Sequence, residues 1–152
     1  MKINKLILFS ILIMYLPLFI YSQSNTVIDQ LLADKEAKWG QTAYLVLTAA
    51  ELLDENVEIE IALKTLVQQN WKINIDKQDN KISLREYSFL LMKAFNIKGG
   101  LMYGIFPGPR YAARELGYLG FLNNNKDPYR KISGEEVLRI LGRVLEWKEI
   151  NN

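Results

Sequence analysis

The strongest constraint on the fold of this chain is an ungapped internal repeat with an offset of fifty residues. The stretch from Ala62 to Phe95 aligns with the stretch from Ala112 to Leu145, and eight positions are identical. Ordinary composition would give about two identities in such an alignment. A repeat of this length is expected to be one supersecondary unit, and two such units must share a core. The identical pairs are Ala62/Ala112, Leu66/Leu116, Asn74/Asn124, Lys81/Lys131, Ile82/Ile132, Ser83/Ser133, Glu86/Glu136 and Leu91/Leu141.

The first 24 residues have the order of a secretory signal peptide: a basic region, an apolar run and then small residues. Lys2 and Lys5 supply the charge, Leu6 to Tyr21 is almost wholly apolar, and Ser22-Gln23-Ser24 follows. The alternative is an uncleaved membrane anchor, but the run is shorter than the roughly 20 residues that a spanning helix prefers. We therefore expect residues 1–24 to be a signal peptide and residues 25–152 to form one exported domain, in the periplasm or at the cell surface. No transmembrane segment is expected after cleavage.

Two residue types are missing, and their absence restricts the chemistry. The chain contains no cysteine and no histidine, which excludes disulfides, thiol nucleophiles, imidazole bases and His-ligated zinc. Without Lys2 and Lys5, the chain carries 17 basic and 17 acidic side chains, a balance that predicts no binding of nucleic acid. The sequence also lacks a glycine-rich phosphate loop and a facing pair of carboxylates. We therefore expect a protein that is not an enzyme and uses no cofactor.

Apolar residues recur at helical spacing, and strand alternation is confined to a short piece at Trp71 to Ile75. The predicted fold is all-α, with N-terminal helices, two helix-loop-helix units at about 59–95 and 109–148, and an ordered connector at 96–108. Pro109 is expected at the first helical position of the second unit. A capping box starts the second helix of each unit, because a serine is followed three residues later by a glutamate. The predicted capping boxes are Ser83 with Glu86 and Ser133 with Glu136. The two N-terminal helices are predicted at Asn25–Lys38 and Gln41–Asp54.

The two units resemble the S-layer homology repeat, whose units end with Ile-Thr-Arg-Ala-Glu-Phe followed by a helix rich in alanine and leucine. In the first unit Ile82-Ser83 stands for the Ile-Thr of this motif, Glu86 for its glutamate and Tyr87 for its aromatic residue. The corresponding residues of the second unit are Ile132-Ser133, Glu136 and Val137.

The resemblance covers about Ile59 to Leu145, and Gln41 to Leu53 looks like the last helix of an earlier unit without its loop. Such repeats commonly act in threes and bind cell-wall polysaccharide or hold proteins at the envelope. The resemblance therefore implies a non-catalytic binding or scaffolding module whose partner is a cell-wall polysaccharide or an envelope protein. The chain departs from the family at the arginine that contacts anionic polymer, which is replaced by Leu84 and Gly134. The usual Gly-Asp-Gly pattern of the loop is also missing.

A helix-loop-helix with a glutamate at the start of its second helix also resembles the EF-hand, which is the alternative interpretation. In that register the second loop offers Asn125, Asp127 and Glu136 as calcium ligands. The first loop offers fewer oxygen ligands, because its first and third positions are Ile75 and Lys77. The competing explanation is that both glutamates only complete capping boxes.

The connector is unusual for a loop, because five large apolar residues stand among four glycines between Gly99 and Gly108. Loops are usually polar and run over the surface, so this one either plugs the core or presents an apolar binding face. Two arginines follow one turn apart and can form an anion-binding pair. The alternative is that the aromatic side chains only pack between the two units. The predicted ligand-binding residues are Tyr103, Phe106, Arg110, Tyr111 and Arg114.

Overall fold

The structure is a computed structural model that describes residues 23–73, 75, 79–123 and 127–151. Residues 1–22 of the predicted signal peptide and the predicted ligand Asn125 lie outside these ranges. The described residues form seven helices and no strand, which confirms the all-α prediction. None of these helices is both long and apolar enough to cross a membrane. The helices are α1 (Gln23–Ala33), α2 (Trp39–Ala49), α3 (Ile59–Gln68), α4 (Leu84–Ala94), α5 (Leu101–Ile105), α6 (Pro109–Tyr118) and α7 (Gly134–Asn151).

Three inner helices, α2, α4 and α7, contact one another and carry most of the core. Outer helices cover them: α3 packs on α2, α6 packs on α4, and α1 contacts both α2 and α7. Leu66 of α3 and Leu116 of α6, which are an identical pair in the sequence repeat, are both buried against this core. The short helix α5 packs on α6 and places the Tyr103 ring against Phe89 of α4. The core is therefore built where the amphipathic faces of six helices converge.

Each inner helix is preceded by a short extended segment, and backbone hydrogen bonds join the three segments. Ile82 N–H donates to the Ala37 carbonyl at 2.9 Å, and Ala37 N–H donates to the Ile132 carbonyl at 2.7 Å. The side chains of all three residues are buried. The segments therefore meet at the centre of the molecule. Two isolated antiparallel bridges lie in the same region, Lys38 with Lys81 and Ser83 with Lys131.

The first two helices end earlier than their sequence predicts. Helix α1 stops at Ala33 instead of Lys38, because both backbone groups of Ala37 bind the other extended segments. Helix α2 stops at Ala49 instead of Asp54. Just beyond it Glu51 has a φ of 60°, and the Leu52 N–H donates back to the Leu47 carbonyl at 2.9 Å, which is the usual pattern of a helix that terminates.

The two predicted capping boxes differ in the structure. Ser83 and Glu86 form the full reciprocal box, with Ser83 N–H donating to Glu86 Oε2 at 2.8 Å. At α7 only half of the box forms: Glu136 N–H donates to Ser133 Oγ at 3.2 Å. The Glu136 carboxylate instead accepts from both terminal nitrogens of Arg130, at 2.7 and 2.5 Å. This corrects the prediction, because a bidentate guanidinium is a stronger donor to a carboxylate than a neutral backbone N–H.

Candidate functional site

A polar cleft of 590 Å³ opens where the three extended segments meet, and we call it the junction cleft. It brings together Lys81 and Lys131, which are fifty residues apart and identical in the sequence repeat. Three basic side chains and two carboxylates surround the opening, so the cleft carries a net positive charge. The residues that line it are Trp39, Asp79, Asn80, Lys81, Arg85, Glu86 and Lys131.

The two lysines of the junction cleft are held by contacts between the segments. Lys131 Nζ donates to the backbone carbonyl of Lys81 at 2.8 Å. Lys81 forms an ion pair with Glu36, in the segment that leads into α2. Each of the three segments therefore contributes a charged side chain that contacts a neighbouring segment. These contacts give the rim of the cleft a defined shape.

Arg85, in the first turn of α4, is the most distinctive group in the junction cleft. Its guanidinium lies over the ring of Tyr129, 4.2 Å from the ring centroid. Its Nε is buried and has no hydrogen-bond partner in the part of the chain that the structure describes. An arginine whose guanidinium is held flat on an aromatic ring is suited to bind a carboxylate or a phosphate in a bidentate manner. The cleft can therefore bind an anionic group.

Leu84 and Gly134, which the resemblance to the S-layer homology repeat places at its polymer-contacting position, do not line the junction cleft. Leu84 is fully buried, and Gly134 lies against the backbone of Leu31. The cations of the cleft come from other positions, Lys81, Arg85 and Lys131. Sequence reasoning missed this site because three separate segments build it. The repeated lysine was its only signal in the sequence.

Tyr103 is the one large residue of α5 that points into the protein. Its ring packs edge-on against Phe89 of α4, with 6.4 Å between the centroids. Gly99 makes room for it, since a Cβ at that position would approach Tyr103 Cδ1 to 2.6 Å. Burial raises the pKa of the Tyr103 hydroxyl to about 12. The structure therefore makes Tyr103 an anchor in the core, whereas the sequence predicts it among the ligand-binding residues.

The large apolar residues on either side of Tyr103, from Leu101 to Phe106, face solvent. Leu101, Met102, Ile105 and Phe106 are all exposed. The connector is thus anchored in the core through Ile97 and Tyr103 and exposes apolar side chains on its outer side. A helix at 101–105 was not foreseen, because its glycine and flanking prolines disfavour helix in isolation.

Arg110, Tyr111 and Arg114 line a second cleft, of 310 Å³, between α5 and α6. Phe106 stacks on Tyr111 with 6.5 Å between the centroids and an interplanar angle of 27°. Arg114 Nε donates to the hydroxyl of Tyr118 at 2.8 Å. The structure therefore brings four of the five predicted ligand-binding residues together. The remaining lining residues are Met102, Ala113 and Pro128.

The two described ligands of the calcium interpretation have other partners. Asp127 Oδ1 accepts from the Tyr129 N–H at 2.9 Å. Both carboxylate oxygens of Glu136 accept from Arg130, and this hydrogen bonding raises the pKa of Arg130. Within the described ranges, no group of three or more cysteine, aspartate, glutamate or histidine residues could hold a metal ion. The geometry therefore gives Glu136 a structural role at the start of α7.

Comparisons with protein-family models, with curated proteins and with solved structures returned no match. The roles of the two clefts are therefore argued from their own residues.

Proposed function

We propose that this chain is a non-catalytic, exported binding module of the cell envelope, which holds an anionic cell-wall polysaccharide in the junction cleft. The observation that carries the proposal is the cleft itself. Three segments, joined by backbone hydrogen bonds, place Lys81, Arg85 and Lys131 around one opening. Export is part of the proposal and rests on the signal-like order of residues 1–24.

The chemistry of the junction cleft suits an acidic sugar polymer. Such a polymer offers carboxylate or phosphate groups, hydroxyl groups and the apolar faces of its sugar rings. Arg85 can donate two N–H groups to one anion, and the lysines add charge without a fixed geometry. Tyr129 is exposed beside Arg85 and offers an aromatic face. Asp79 on the rim can accept from sugar hydroxyls.

The architecture also supports the proposal. The resemblance to the S-layer homology repeat implies units that act in threes, and three inner helices here each follow an extended segment. Because hydrogen bonds link the three segments, the cations are positioned before any ligand arrives. Preorganisation of this kind reduces the ordering cost of binding.

The test is retention of the exported protein on isolated cell-wall polymer, with Arg85→Gln as the decisive variant. A hydrogen bond to a charged group contributes about 1.5–3 kcal/mol, so the variant should bind at least about tenfold more weakly. The matched control is Arg139→Gln on α7, whose exposed guanidinium pairs with Glu135 at 3.3 Å and lies outside the cleft. This control should bind like the parent protein.

Two results would count against the proposal. A parent protein that is not retained on wall polymer has no such function. Equal losses in Arg85→Gln and Arg139→Gln would mean that general charge attraction, and not the junction cleft, drives retention. Thermal melting of all three proteins verifies that any loss does not come from unfolding.

A further inference from the structure

We propose that the outer side of α5, together with the start of α6, docks the protein onto an anionic lipid surface. We call this surface the connector face and define it by Leu101, Met102, Ile105, Phe106, Arg110 and Arg114. The apolar side chains would lie between lipid headgroups, and the two arginines would bind lipid phosphates. No residue of the connector face lines the junction cleft, so this proposal stands apart from polysaccharide binding.

The first observation is the exposure of large apolar side chains on one short helix. Leu101 is 78% exposed, Met102 47%, Ile105 57% and Phe106 59%. Single exposed apolar residues are common on soluble proteins. Four of them within six consecutive positions form a patch, and patches of this kind mark sites of interaction.

The second observation is the sign of the charge around this patch. From Tyr87 to Arg114 the chain contains four basic residues and no acidic residue. The nearest carboxylate, Glu115 of α6, already accepts from the Gly100 N–H at 3.0 Å. The basic residues are Lys93, Lys98, Arg110 and Arg114. The connector face therefore combines apolar side chains with a cationic rim, which complements an anionic lipid headgroup region.

The third observation is the position of the acidic residues. Between Glu51 and Glu60 the chain carries five acidic residues and no basic one. This stretch leads into α3, which packs on α2, whereas α5 packs on α6 and on Phe89 of α4. The acidic stretch and the connector face are thus carried by different helices. A negatively charged surface would attract the connector face and repel the acidic stretch, which favours one orientation of the protein on approach.

The shape of the connector face favours a lipid surface over a folded protein partner. Its apolar side chains are exposed on a five-residue helix and at the residue that follows it, and exposed side chains can enter the headgroup layer without a complementary hollow. The 310 Å³ cleft beside it is lined by Arg110, Tyr111 and Arg114, which suits one phosphate group. Aromatic rings with polar tips, such as Tyr111 and Tyr118, are typical of the membrane–water boundary.

The experiment measures co-sedimentation of the exported protein, expressed with its own first 24 residues, with lipid vesicles. One set of vesicles is phosphatidylcholine alone, and the other is phosphatidylcholine mixed with phosphatidylglycerol. We expect binding to the anionic vesicles, weakened by salt because the charges are exposed. Arg110→Gln with Arg114→Gln should lower the partition constant about twenty-fivefold, since each basic residue at the surface contributes a factor of about five.

A second variant tests the apolar contribution. Ile105→Ser with Phe106→Ser should lower the partition constant by about tenfold or more, because both side chains lose their insertion into the headgroup layer. The matched control is Lys64→Gln with Val67→Ser on α3, where Val67 is equally exposed. This control should bind vesicles like the parent, and so should Arg85→Gln, which separates lipid docking from the junction cleft.

Three outcomes would overturn the proposal. The first is that the parent protein does not bind anionic vesicles. This includes the case in which the connector face binds an envelope protein instead. The second is equal binding to neutral and anionic vesicles. The third is vesicle binding that neither connector variant reduces, which is also the result expected if an uncleaved N-terminal segment anchored the protein.

Discussion

A methyl group at Gly134 has no room, and this makes the position a sharp test of the fold. Gly134 begins α7 and lies directly against the backbone of α1. A Cβ added there would overlap the carbonyl group of Leu31 and lie 2.9 Å from Leu31 Cγ. The Gly134 N–H also donates to the Asp34 carbonyl at 3.0 Å, which ties the two backbones together.

Gly134→Ala must therefore push α1 away from α7. Inserting a methyl group into a well-packed contact costs typically about 1–3 kcal/mol, and loss of the hydrogen bond to Asp34 adds about 1 kcal/mol. The better helix propensity of alanine offsets at most about 1 kcal/mol of this loss of stability. We expect the free energy of unfolding to fall by about 1–3 kcal/mol. For a domain of this size the melting temperature should fall by about 4–12 °C.

The control lies on the same helix. Gly142 is exposed in the middle of α7, and a Cβ there meets nothing within 4 Å. Gly142→Ala should therefore stabilise the protein by about 0.5–1 kcal/mol. Urea unfolding followed by far-ultraviolet circular dichroism gives both free energies. The reasoning fails if the two alanines change stability in the same direction, or if Gly134→Ala stays within about 0.5 kcal/mol of the parent.

Three further predictions concern buried and paired groups. Burial raises the pKa of Tyr87 well above its usual value, and the charge of Glu136 adds a smaller contribution. As the pH rises, the unfolded chain therefore loses the Tyr87 proton before the folded protein does. Stability should fall above about pH 10. Tyr87→Phe should make stability fall less between about pH 8 and 11, as measured by urea unfolding at both pH values. At neutral pH the same variant should lose about 1 kcal/mol of stability, because the Tyr87 hydroxyl donates a 2.7 Å hydrogen bond to a carbonyl of α7. An unchanged dependence of stability on pH would contradict this prediction. Glu136→Gln should destabilise the protein by about 1–3 kcal/mol, because the Glu136 carboxylate is 16% exposed and accepts two hydrogen bonds from Arg130. Glu135→Gln removes an exposed ion pair and should cost less than about 0.5 kcal/mol. Similar losses in both variants would refute the structural role of Glu136. Calcium at about millimolar concentration should release no heat and leave the melting temperature unchanged, and a clear rise in melting temperature would restore the calcium interpretation.

Several parts of the fold could be predicted from local pattern. Helix α6 begins at Pro109, as expected for a proline at the first position. The capping box of Ser83 and Glu86 forms as expected. These features are readable because their hydrogen bonds join residues within one turn of helix. The second capping box shows the limit of such rules. Arg130 stands where the first unit has Asn80, and it takes the carboxylate of Glu136.

The candidate sites show the same division. The connector residues Phe106, Arg110, Tyr111 and Arg114 are close in sequence, and the structure also places them close in space. The direction in which Tyr103 points could not be predicted, because it depends on Phe89 in another helix. The junction cleft was missed for a similar reason, since its lining comes from three segments far apart in the chain.

The sequence by itself determined that this chain is helical, where most of its helices begin, and which residues two similar stretches share. Helical periodicity and end caps are local, because each depends on neighbours a few positions away. Tertiary structure alone decided that Lys81, Arg85 and Lys131 surround one cleft, that Gly134 touches α1, and that Tyr103 is buried while its neighbours are exposed. These outcomes depend on hydrogen bonds such as that between Ala37 and Ile132. Such hydrogen bonds join backbone groups that are distant in the chain. Because backbone groups are common to all residue types, the side-chain pattern does not predict which of them will pair.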